Sequence, residues 1–310
     1  MSLHHPADAV APLHTNTPPA TRVGIVGVGN MGGAIAARLL SLGWPVAVHD
    51  IDDRCEALAV SFGAMACATP SGVAASSEVL IVAVVDAAQT EAVLFGAHGA
   101  ARGLARGSTV LLCPTIAPAD VERFATGLHR HGIACIDAPM SGGPDRARDG
   151  SMSLMLAGPG DAIERHRALV ESMSSRVFRI SEQPGDAART KLVNNLLAGI
   201  NLAGAAEALA LAERMGLDVG RTLDVIEQSS GQSWIGSDRL RRALRGDYLP
   251  RAHTRLLNKD THLALGVARK AGAATAIGEA AAAVFARACE RGFAGMDDAS
   301  VFELLRQEDR

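Results

Sequence analysis

The N-terminal half of the chain alternates short apolar runs with stretches of helical periodicity. Val23 to Val26 form the first apolar run, a glycine-rich turn follows, and a helical pattern then places Ile35, Leu39 and Leu40 on one face until Gly43. PVAVHD is a second apolar run, so strand, turn, helix and strand occupy about thirty residues. Runs of strand length recur as EVLIVAVV, STVLLCP, GIACIDAPM and SLMLAG. This alternation predicts a mostly parallel sheet with helices on both faces.

After SRVFRI the pattern changes to helical periodicity alone. The helical stretches are 187–215, about 218–229, 233–244, 257–271, 275–291 and 297–307. We therefore predict an α/β domain over 21–184, an all-α domain over 185–310, and a long helix that joins them. Residues 1–20 are rich in Pro, His and Thr and are predicted to form a flexible tail outside the fold.

The composition favours a globular protein of about two domains. Hydrophobic residues make up 48% of the 310 positions and charged residues 20%, which provides for buried cores and excludes a disordered chain. The net charge of −3 gives no reason to expect nucleic acid or an anionic membrane as partner. Asn201 and Glu279 interrupt the longest apolar runs before they reach membrane-spanning length. The five cysteines lack a CxxC pair and the N terminus lacks a secretory pattern, so we expect reduced thiols and a cytoplasmic location.

The segment GVGNMG follows the first strand and begins the first helix. In this context a GxGxxG pattern predicts a dinucleotide-binding turn. Gly27 permits the tight turn, Gly29 lets the backbone approach a pyrophosphate, and Gly32 allows the helix to pack closely on the strand. Asn30 and Met31, between the last two glycines, complete the predicted phosphate-binding turn.

Asp50 ends the second strand at the spacing where an acidic side chain accepts hydrogen bonds from the adenosine ribose. A carboxylate there would repel a 2′-phosphate, which favours NAD over NADP, although Arg54 lies one helical turn further on. The alternative is that Asp50 is only a helix N-cap or a turn residue.

Two further segments carry polar groups suited to a small substrate. In DAPMSGGPDRARDG, Ser141, Gly142 and Gly143 offer a hydroxyl and backbone N–H groups to a carboxylate, with an ordinary turn as the alternative. In TKLVNN, at the junction of the two halves, Lys191 and Asn195 are four residues apart and share one helix face. They face either solvent or a cleft between the domains.

Four motifs occur in a fixed order along the chain. They are GIVGVGNMG, DAPMSGG with ARDGSMSLMLAG, GDAARTKLVNN and NKDTHLAL. Together they resemble the β-hydroxyacid dehydrogenase family. The resemblance implies a Rossmann-type NAD-binding domain that one long helix joins to a helical domain. It also implies that Lys191 is the catalytic lysine and Asn195 its partner that orients the substrate. Ser141, Gly142 and Gly143 match the family's carboxylate-binding segment.

The resemblance assigns roles to three more residues and shows two departures. Thr115 in CPTIAP matches a threonine near the nicotinamide, and Lys259 in NKD matches a lysine that lines the cofactor and substrate cleft. The segment GQSWIGSDRL is similar to the L-threonate dehydrogenase branch, and its Trp234 is a candidate substrate-binding residue that is interpreted as a core or pocket-wall residue. Pro114 stands where the family often has Ser, and Ala252–Thr254 stand where many members carry aromatic residues.

Two charged clusters have no predicted chemical role. Arg239, Arg241, Arg242 and Arg245 in RLRRALRG indicate a mostly solvated helical face, with contact of one of them to an anionic substrate as the alternative. The HxH at 129–131 has no further ligands nearby, so no metal site is expected.

These observations predict an NAD-dependent dehydrogenase, with NADP as the alternative cofactor, that interconverts a small hydroxy acid and its oxo acid or semialdehyde. Lys191 is the predicted general acid/base. The alternatives are an imine reductase on the same scaffold, whose members generally lack the lysine, and a non-catalytic dinucleotide-binding module. The apolar helices at 187–215 and 275–291 predict a homodimer or homotetramer through the helical domain.

Overall fold

The computed structural model describes residues 21–307, so the predicted tail lies outside the described residues. The N-terminal domain contains nine strands and eight helices within these residues. The strands are β1 (Val23–Val26), β2 (Val46–His49), β3 (Met65–Ala66), β4 (Val79–Val82), β5 (Thr109–Leu112), β6 (Ala134–Asp137), β7 (Met140–Ser141), β8 (Ser153–Ala157) and β9 (Arg176–Ser181). The helices are α1 (Asn30–Ser41), α2 (Asp53–Ser61), α3 (Pro70–Ala75), α4 (Ala87–Phe95), α5 (Pro118–Arg130), α6 (Gly143–Asp149), α7 (Gly160–Arg165) and α8 (Arg167–Met173).

The strands form one sheet with the order β3-β2-β1-β4-β5-β6-β8-β7, and β9 pairs with β8. Strands β1 to β6 are parallel, whereas β8 runs antiparallel to β6 and β7. The predicted mostly parallel sheet is confirmed, and the two-residue strands β3 and β7 are additions to it. The strand order reverses between β1 and β4, which creates the crevice where α/β sheets bind ligands.

The central strands are buried on both faces because successive side chains enter two different apolar cores. Ile25 and Ile81 belong to the core on one face, and Leu80 and Val110 belong to the core on the other. Helices cover both faces, which explains why these strands read as continuous apolar runs in the sequence.

The C-terminal domain is a group of helices around the long helix α9. The helices are α9 (Asp186–Arg214), α10 (Val219–Glu227), α11 (Trp234–Ala243), α12 (Thr254–Lys270), α13 (Ala276–Glu290) and α14 (Val301–Gln307). Leu202, Leu209, Phe285 and Phe302 form the centre of their shared core. Within residues 185–307 the strand-like pairing is limited to one isolated bridge between His253 and Asp297.

Helix α12 begins at Thr254, three residues before the start predicted from periodicity. The Thr254 N–H donates to Met296 O at 2.9 Å, and its hydroxyl donates to Asp297 O at 3.1 Å. These partners are about forty residues away in the chain, so the local pattern could not indicate the helix start.

Helix α9 is long and apolar enough to cross a membrane by length and composition alone, although Asn201 lies within it. This is weak evidence, because a central core helix passes the same test. Its 29 residues span about 44 Å and run from the edge of the sheet through the helical domain.

Candidate active site

The glycine-rich turn lies at the carboxyl end of β1, beside the reversal of strand order. Gly27 has a φ of +89°, and a Cβ at Gly32 would lie 1.9 Å from Gly27 O, so both positions require glycine. No atom lies within 4 Å of a Cβ built at Gly29, which leaves its backbone open to a ligand. Gly29 is also the N-cap of α1 and supplies no side-chain cap, so the first N–H groups of the helix remain for phosphate oxygens.

Asn30 and Met31 hold this turn in place by different means. Met31 packs against the core beneath the sheet. The Asn30 side-chain amide donates to Pro250 O at 3.2 Å and to Arg251 O at 3.4 Å. Asn30 therefore joins the glycine-rich turn to the helical domain.

Asp50 lies directly after β2 and its carboxylate is bound to the glycine-rich turn. Its Oδ2 accepts from the N–H of Val28 at 2.6 Å, and its Oδ1 accepts from the N–H of Asp52 at 2.9 Å. The N-cap of α2 is Asp52 and not Asp50, so the N-cap alternative for Asp50 is wrong. The predicted contact of Asp50 with the adenosine ribose stays a prediction.

Lys191 and Asn195 are both buried, as is Leu192 in the same helical turn. Only 6% of Lys191 and 9% of Asn195 is exposed, whereas Val193 and Leu197 are 71% and 57% exposed. The solvent alternative for the polar pair is therefore wrong. The polar pair therefore faces the interior together with Leu192, whereas Val193 and Leu197 face outward.

Asp260 joins the predicted catalytic residue Asn195 to Lys259, and it was not predicted from the sequence. Its Oδ2 accepts from Asn195 Nδ2 at 2.7 Å, and its Oδ1 accepts from Lys259 Nζ at 2.7 Å. Lys259 Nζ also donates to Thr115 O at 2.5 Å. Thr115, Asn195 and Lys259 thus meet around one buried carboxylate. The signal available in the sequence was its place directly after Lys259 in NKD.

Burial lowers the pKa of Lys191 to about 8. The negative charge of Asp260 opposes this effect, and the positive charge of Lys259 adds to it. Among residues 21–307, no side chain or carbonyl accepts a hydrogen bond from the Lys191 ammonium. The amine can therefore exchange a proton with a ligand near neutral pH.

The predicted carboxylate-binding segment follows the short strand β7. Ser141 pairs with Ser153 of β8, and Gly142 and Gly143 then have φ values of +132° and +79°. These conformations favour glycine, which explains the sequence SGG at the start of α6. Gly143 is open to a ligand, since nothing lies within 4 Å of a Cβ built there.

Trp234 begins α11 and is 42% exposed, so it is a surface or pocket-wall residue and not a core residue. Its ring lies between two guanidinium groups, with Arg146 Cζ at 4.5 Å and Arg239 Cζ at 5.8 Å from the ring centroid. Arg146 comes from α6, so the stacking joins the two domains.

Asp137 is a second residue that the sequence analysis did not single out. It ends β6 and is 1% exposed. Its Oδ2 accepts from the N–H groups of Gly185 and Ala188 at 2.9 and 2.8 Å, so it caps the start of α9 from the sheet. Burial raises the pKa of Asp137 to about 6, and the backbone hydrogen bonds oppose that effect. This carboxylate fixes the helix that carries Lys191 to the strand that leads to Ser141.

The predicted solvated face of four arginines is wrong for two of them. Arg239 is buried and its Nε donates to Asp298 at 2.6 Å, and Arg242 is buried with its Nη1 3.0 Å from Asp297. The paired aspartates come from the segment before α14, which the local sequence pattern could not place beside α11.

Pro114 does not disturb the sheet. The N–H of Cys113 makes the last hydrogen bond of β5, to Val82 O at 3.0 Å, so the missing donor at 114 lies beyond the ladder. All five cysteines are free, and no group of three or more metal-ligating side chains occurs in the described part of the chain.

Two family models divide the chain between them. The NAD binding domain of 6-phosphogluconate dehydrogenase matches residues 22–181. The NAD-binding domain of NADP-dependent 3-hydroxyisobutyrate dehydrogenase matches residues 185–305. The chain belongs to the β-hydroxyacid dehydrogenase family. The family, the fold class and an NAD(P) cofactor, predicted from four short motifs, are thereby confirmed.

The family relationship extends over nearly the whole chain. L-threonate dehydrogenase of Cupriavidus necator is 36% identical over 285 residues, which cover 91% of this chain and 95% of that protein. 3-Hydroxyisobutyrate dehydrogenase of Pseudomonas aeruginosa is 32% identical over 93% of this chain and 100% of that protein. Both relatives are dehydrogenases that act on hydroxy acids, and the predicted reaction class is confirmed at that level.

Solved structures agree with this assignment. The crystal structure of 3-hydroxyisobutyrate dehydrogenase from Salmonella typhimurium has a TM-score of 0.86 and 33% identity, and covers 92% of this chain and 99% of that one. Psf3, solved with NADP+ and 2-OPP, has a TM-score of 0.85 and 28% identity, and covers 91% and 99%. An imine reductase from Pseudomonas sp. shares the fold with a TM-score of 0.62 at 22% identity, and is more distant.

Proposed function

We propose that this protein oxidises a small hydroxylated acid with NAD and that Lys191 accepts the proton of the substrate hydroxyl. The observation that carries the proposal is the buried amine at the domain junction, whose pKa is lowered to about 8 and which has no acceptor within residues 21–307. A lysine with these properties is competent as a base near neutral pH.

The glycine-rich turn fits the cofactor. The space that a Cβ would fill at Gly27 and Gly32 is occupied, whereas the backbone at Gly29 is open beside the uncapped start of α1. Gly27, Gly29 and Gly32 would hold the pyrophosphate, and the Asp50 carboxylate would accept hydrogen bonds from the ribose hydroxyl groups. Thr115 and Lys259 would line the nicotinamide side. When bound, the nicotinamide accepts the hydride from the substrate carbon.

Asn195 orients the substrate oxygen in this scheme. Its Oδ1 accepts from Asn194 at 3.0 Å and one of its amide hydrogens is bound to Asp260, so the amide cannot rotate freely. The second amide hydrogen remains for the substrate oxygen. Ser141, Gly142 and Gly143 hold the carboxylate, which sets the carbon that faces the nicotinamide. Lys191 then removes the hydroxyl proton, and returns it in the reverse reaction.

The substrate class that we propose is a four-carbon polyhydroxy acid such as L-threonate. The support is the sequence identity of 36% and 34% to proteins named L-threonate dehydrogenase. The Asp50 carboxylate supports NAD over NADP, because it would repel a 2′-phosphate. Arg54, the arginine that follows it in sequence, is paired with Asp52 at 2.9 Å and so is not free to bind that phosphate.

The test is reduction of NAD and of NADP with L-threonate, D-erythronate, glycerate, 3-hydroxyisobutyrate, 4-hydroxybutyrate and 3-hydroxypropionate. We expect the highest kcat/KM with L-threonate and NAD. NAD binding without NADH formation on any acid would favour the non-catalytic module. Turnover of a cyclic imine with no turnover of any hydroxy acid would favour the imine reductase.

We also propose a homodimer or homotetramer in the cytoplasm, built from units at 21–184 and 185–310. The support is the exposed apolar side chains along α9 and at its C-cap, with Val193, Leu197, Leu211 and Met215 between 57% and 71% exposed. In this arrangement α9 is an interdomain helix covered by a second subunit and not a membrane span. Light scattering that detects only monomer at micromolar concentration would contradict the oligomer.

A further inference from the structure

Arg146 lies between the two parts of the proposed substrate site. It is half-buried on α6, three residues after the SGG segment. Its side-chain stem covers Gly142, since a Cβ built at Gly142 would lie 2.9 Å from Arg146 Cδ. Its guanidinium lies over the ring of Trp234, with Cζ 4.5 Å from the centroid. Arg146 therefore extends from the carboxylate-binding segment of one domain to the pocket wall of the other.

The guanidinium of Arg146 has no carboxylate within ion-pair distance among residues 21–307. The adjacent Asp145 is oriented toward Arg251, with 3.6 Å between Oδ2 and Nε. Asp149, one turn further on, accepts instead from the N–H of Ser151 at 2.7 Å. Arginine in a folded protein is always charged, so within the residues that the structure describes this half-buried cation has no ion-pair partner, and it interacts only with the Trp234 ring and, at longer range, with the Asp149 carboxylate.

Stacking on an indole ring uses the face of the guanidinium and leaves its in-plane N–H groups free. These N–H groups can donate to oxygen atoms of a ligand that lies between the SGG segment and Trp234. An apolar group in the same place would remove water from the N–H groups without replacing its hydrogen bonds, which is unfavourable.

We propose that Arg146 is a substrate-binding residue that recognises oxygen atoms on the part of the substrate beyond the reacting carbon. The proposal rests on the proposed function and deepens it. A small acid that is bound by its carboxylate at Ser141–Gly143 directs its remaining carbons toward Arg146 and Trp234. Arg146 then selects acids with a hydroxylated tail over acids that carry only methyl or methylene groups there.

The test compares kcat/KM for L-threonate and for 3-hydroxyisobutyrate in wild type and in Arg146→Met. We expect the ratio of the two values to fall by roughly tenfold or more, because a site built to bond a substrate hydroxyl loses its discrimination when the donor is removed. The ratio cancels any loss of folded enzyme, since both substrates are measured on the same preparation. Arg146→Lys keeps the charge but not the planar fork, and an intermediate ratio is expected.

Arg148→Met is the matched control. Arg148 lies on the same helix and also lies over an aromatic ring, with Cζ 5.5 Å from the centroid of Phe62, but it is exposed and its ring partner is not Trp234. Its ratio should stay within about threefold of wild type. An unchanged ratio in Arg146→Met, which includes an equal loss of kcat/KM with both acids, overturns the proposal. A wild type that turns over no hydroxy acid instead overturns the proposed function, so the two failures are distinguishable.

Discussion

Replacement of Lys191 by Met should stop turnover and stabilise the protein at the same time. A buried ammonium is costly, and the fall of the Lys191 pKa from 10.5 to about 8 measures that cost. The side chain is only 6% exposed, so solvent screening reduces the effect little. At about 1.36 kcal/mol for each unit of pKa shift, the buried charge lowers the free energy of unfolding by about 3 kcal/mol at pH 7. Met has a similar shape and no charge, so the variant escapes the cost.

The pH dependence gives the prediction its sign. Between pH 8 and 10.5 the unfolded chain holds a proton on Lys191 that the folded chain has released, so wild-type stability rises with pH in this window. The stability advantage of Lys191→Met should therefore shrink from about 3 kcal/mol at pH 7 to about 1 kcal/mol at pH 9.5. Titrating groups that do not interact with Lys191 are common to both proteins and cancel in the difference; Asp260 and Lys259 do interact with it.

The assay is urea unfolding of wild type and variant at pH 7, 8.5 and 9.5, with the unfolding slope m checked for equality. Lys270→Met, which removes an exposed lysine at the end of α12, is the control and should change stability by less than about 0.5 kcal/mol. NAD reduction by Lys191→Met should fall by at least about 100-fold. A stability difference that stays constant or grows with pH would refute the lowered pKa, and turnover within a few-fold of wild type would refute the catalytic role.

Three further perturbations test the contacts around Lys191 and the cofactor site. Asp260→Asn removes the negative charge that raises the pKa of Lys191, so the midpoint of the pH profile of kcat for oxidation should move to lower pH; an unmoved midpoint would show that the two groups do not interact. Asp137→Asn removes a carboxyl group whose pKa is raised from 3.8 to about 6. The stability of wild type relative to this variant should therefore fall as the pH rises from 4 to 6. The kcat of Asp137→Asn should also fall more than that of Asp218→Asn, which removes the N-cap of α10. Asp50→Ser removes the carboxylate beside the glycine-rich turn and should raise the kcat/KM ratio of NADP to NAD by roughly tenfold, and a ratio equal to that of wild type would contradict its role.

The sequence predicted those parts of the site whose function depends on local geometry. The glycine-rich turn is a property of six consecutive residues at the start of a helix, since the positive φ of Gly27 and the contact of Gly32 with Gly27 O both lie within that segment. The same holds for SGG, whose positive φ values belong to two adjacent glycines. Lys191 and Asn195 were predicted as a pair because four-residue spacing places them on one helix face.

By itself, the sequence determined the parallel sheet, the change to helices near residue 185, the dinucleotide-binding turn and the identity of the polar pair on α9. Each of these depends on periodicity or on contacts within one turn or strand. The tertiary structure decided which face of α9 is buried, and so the direction of the Lys191 pKa. It also brought Asp260 to Asn195 across 65 residues and Asp137 to Ala188 across 51, and it paired Arg239 with Asp298 across 59. Such contacts form only when α9, α11 and α12 pack against their neighbours. A local pattern of hydrophobic and polar residues does not specify which two distant charged residues will form a pair.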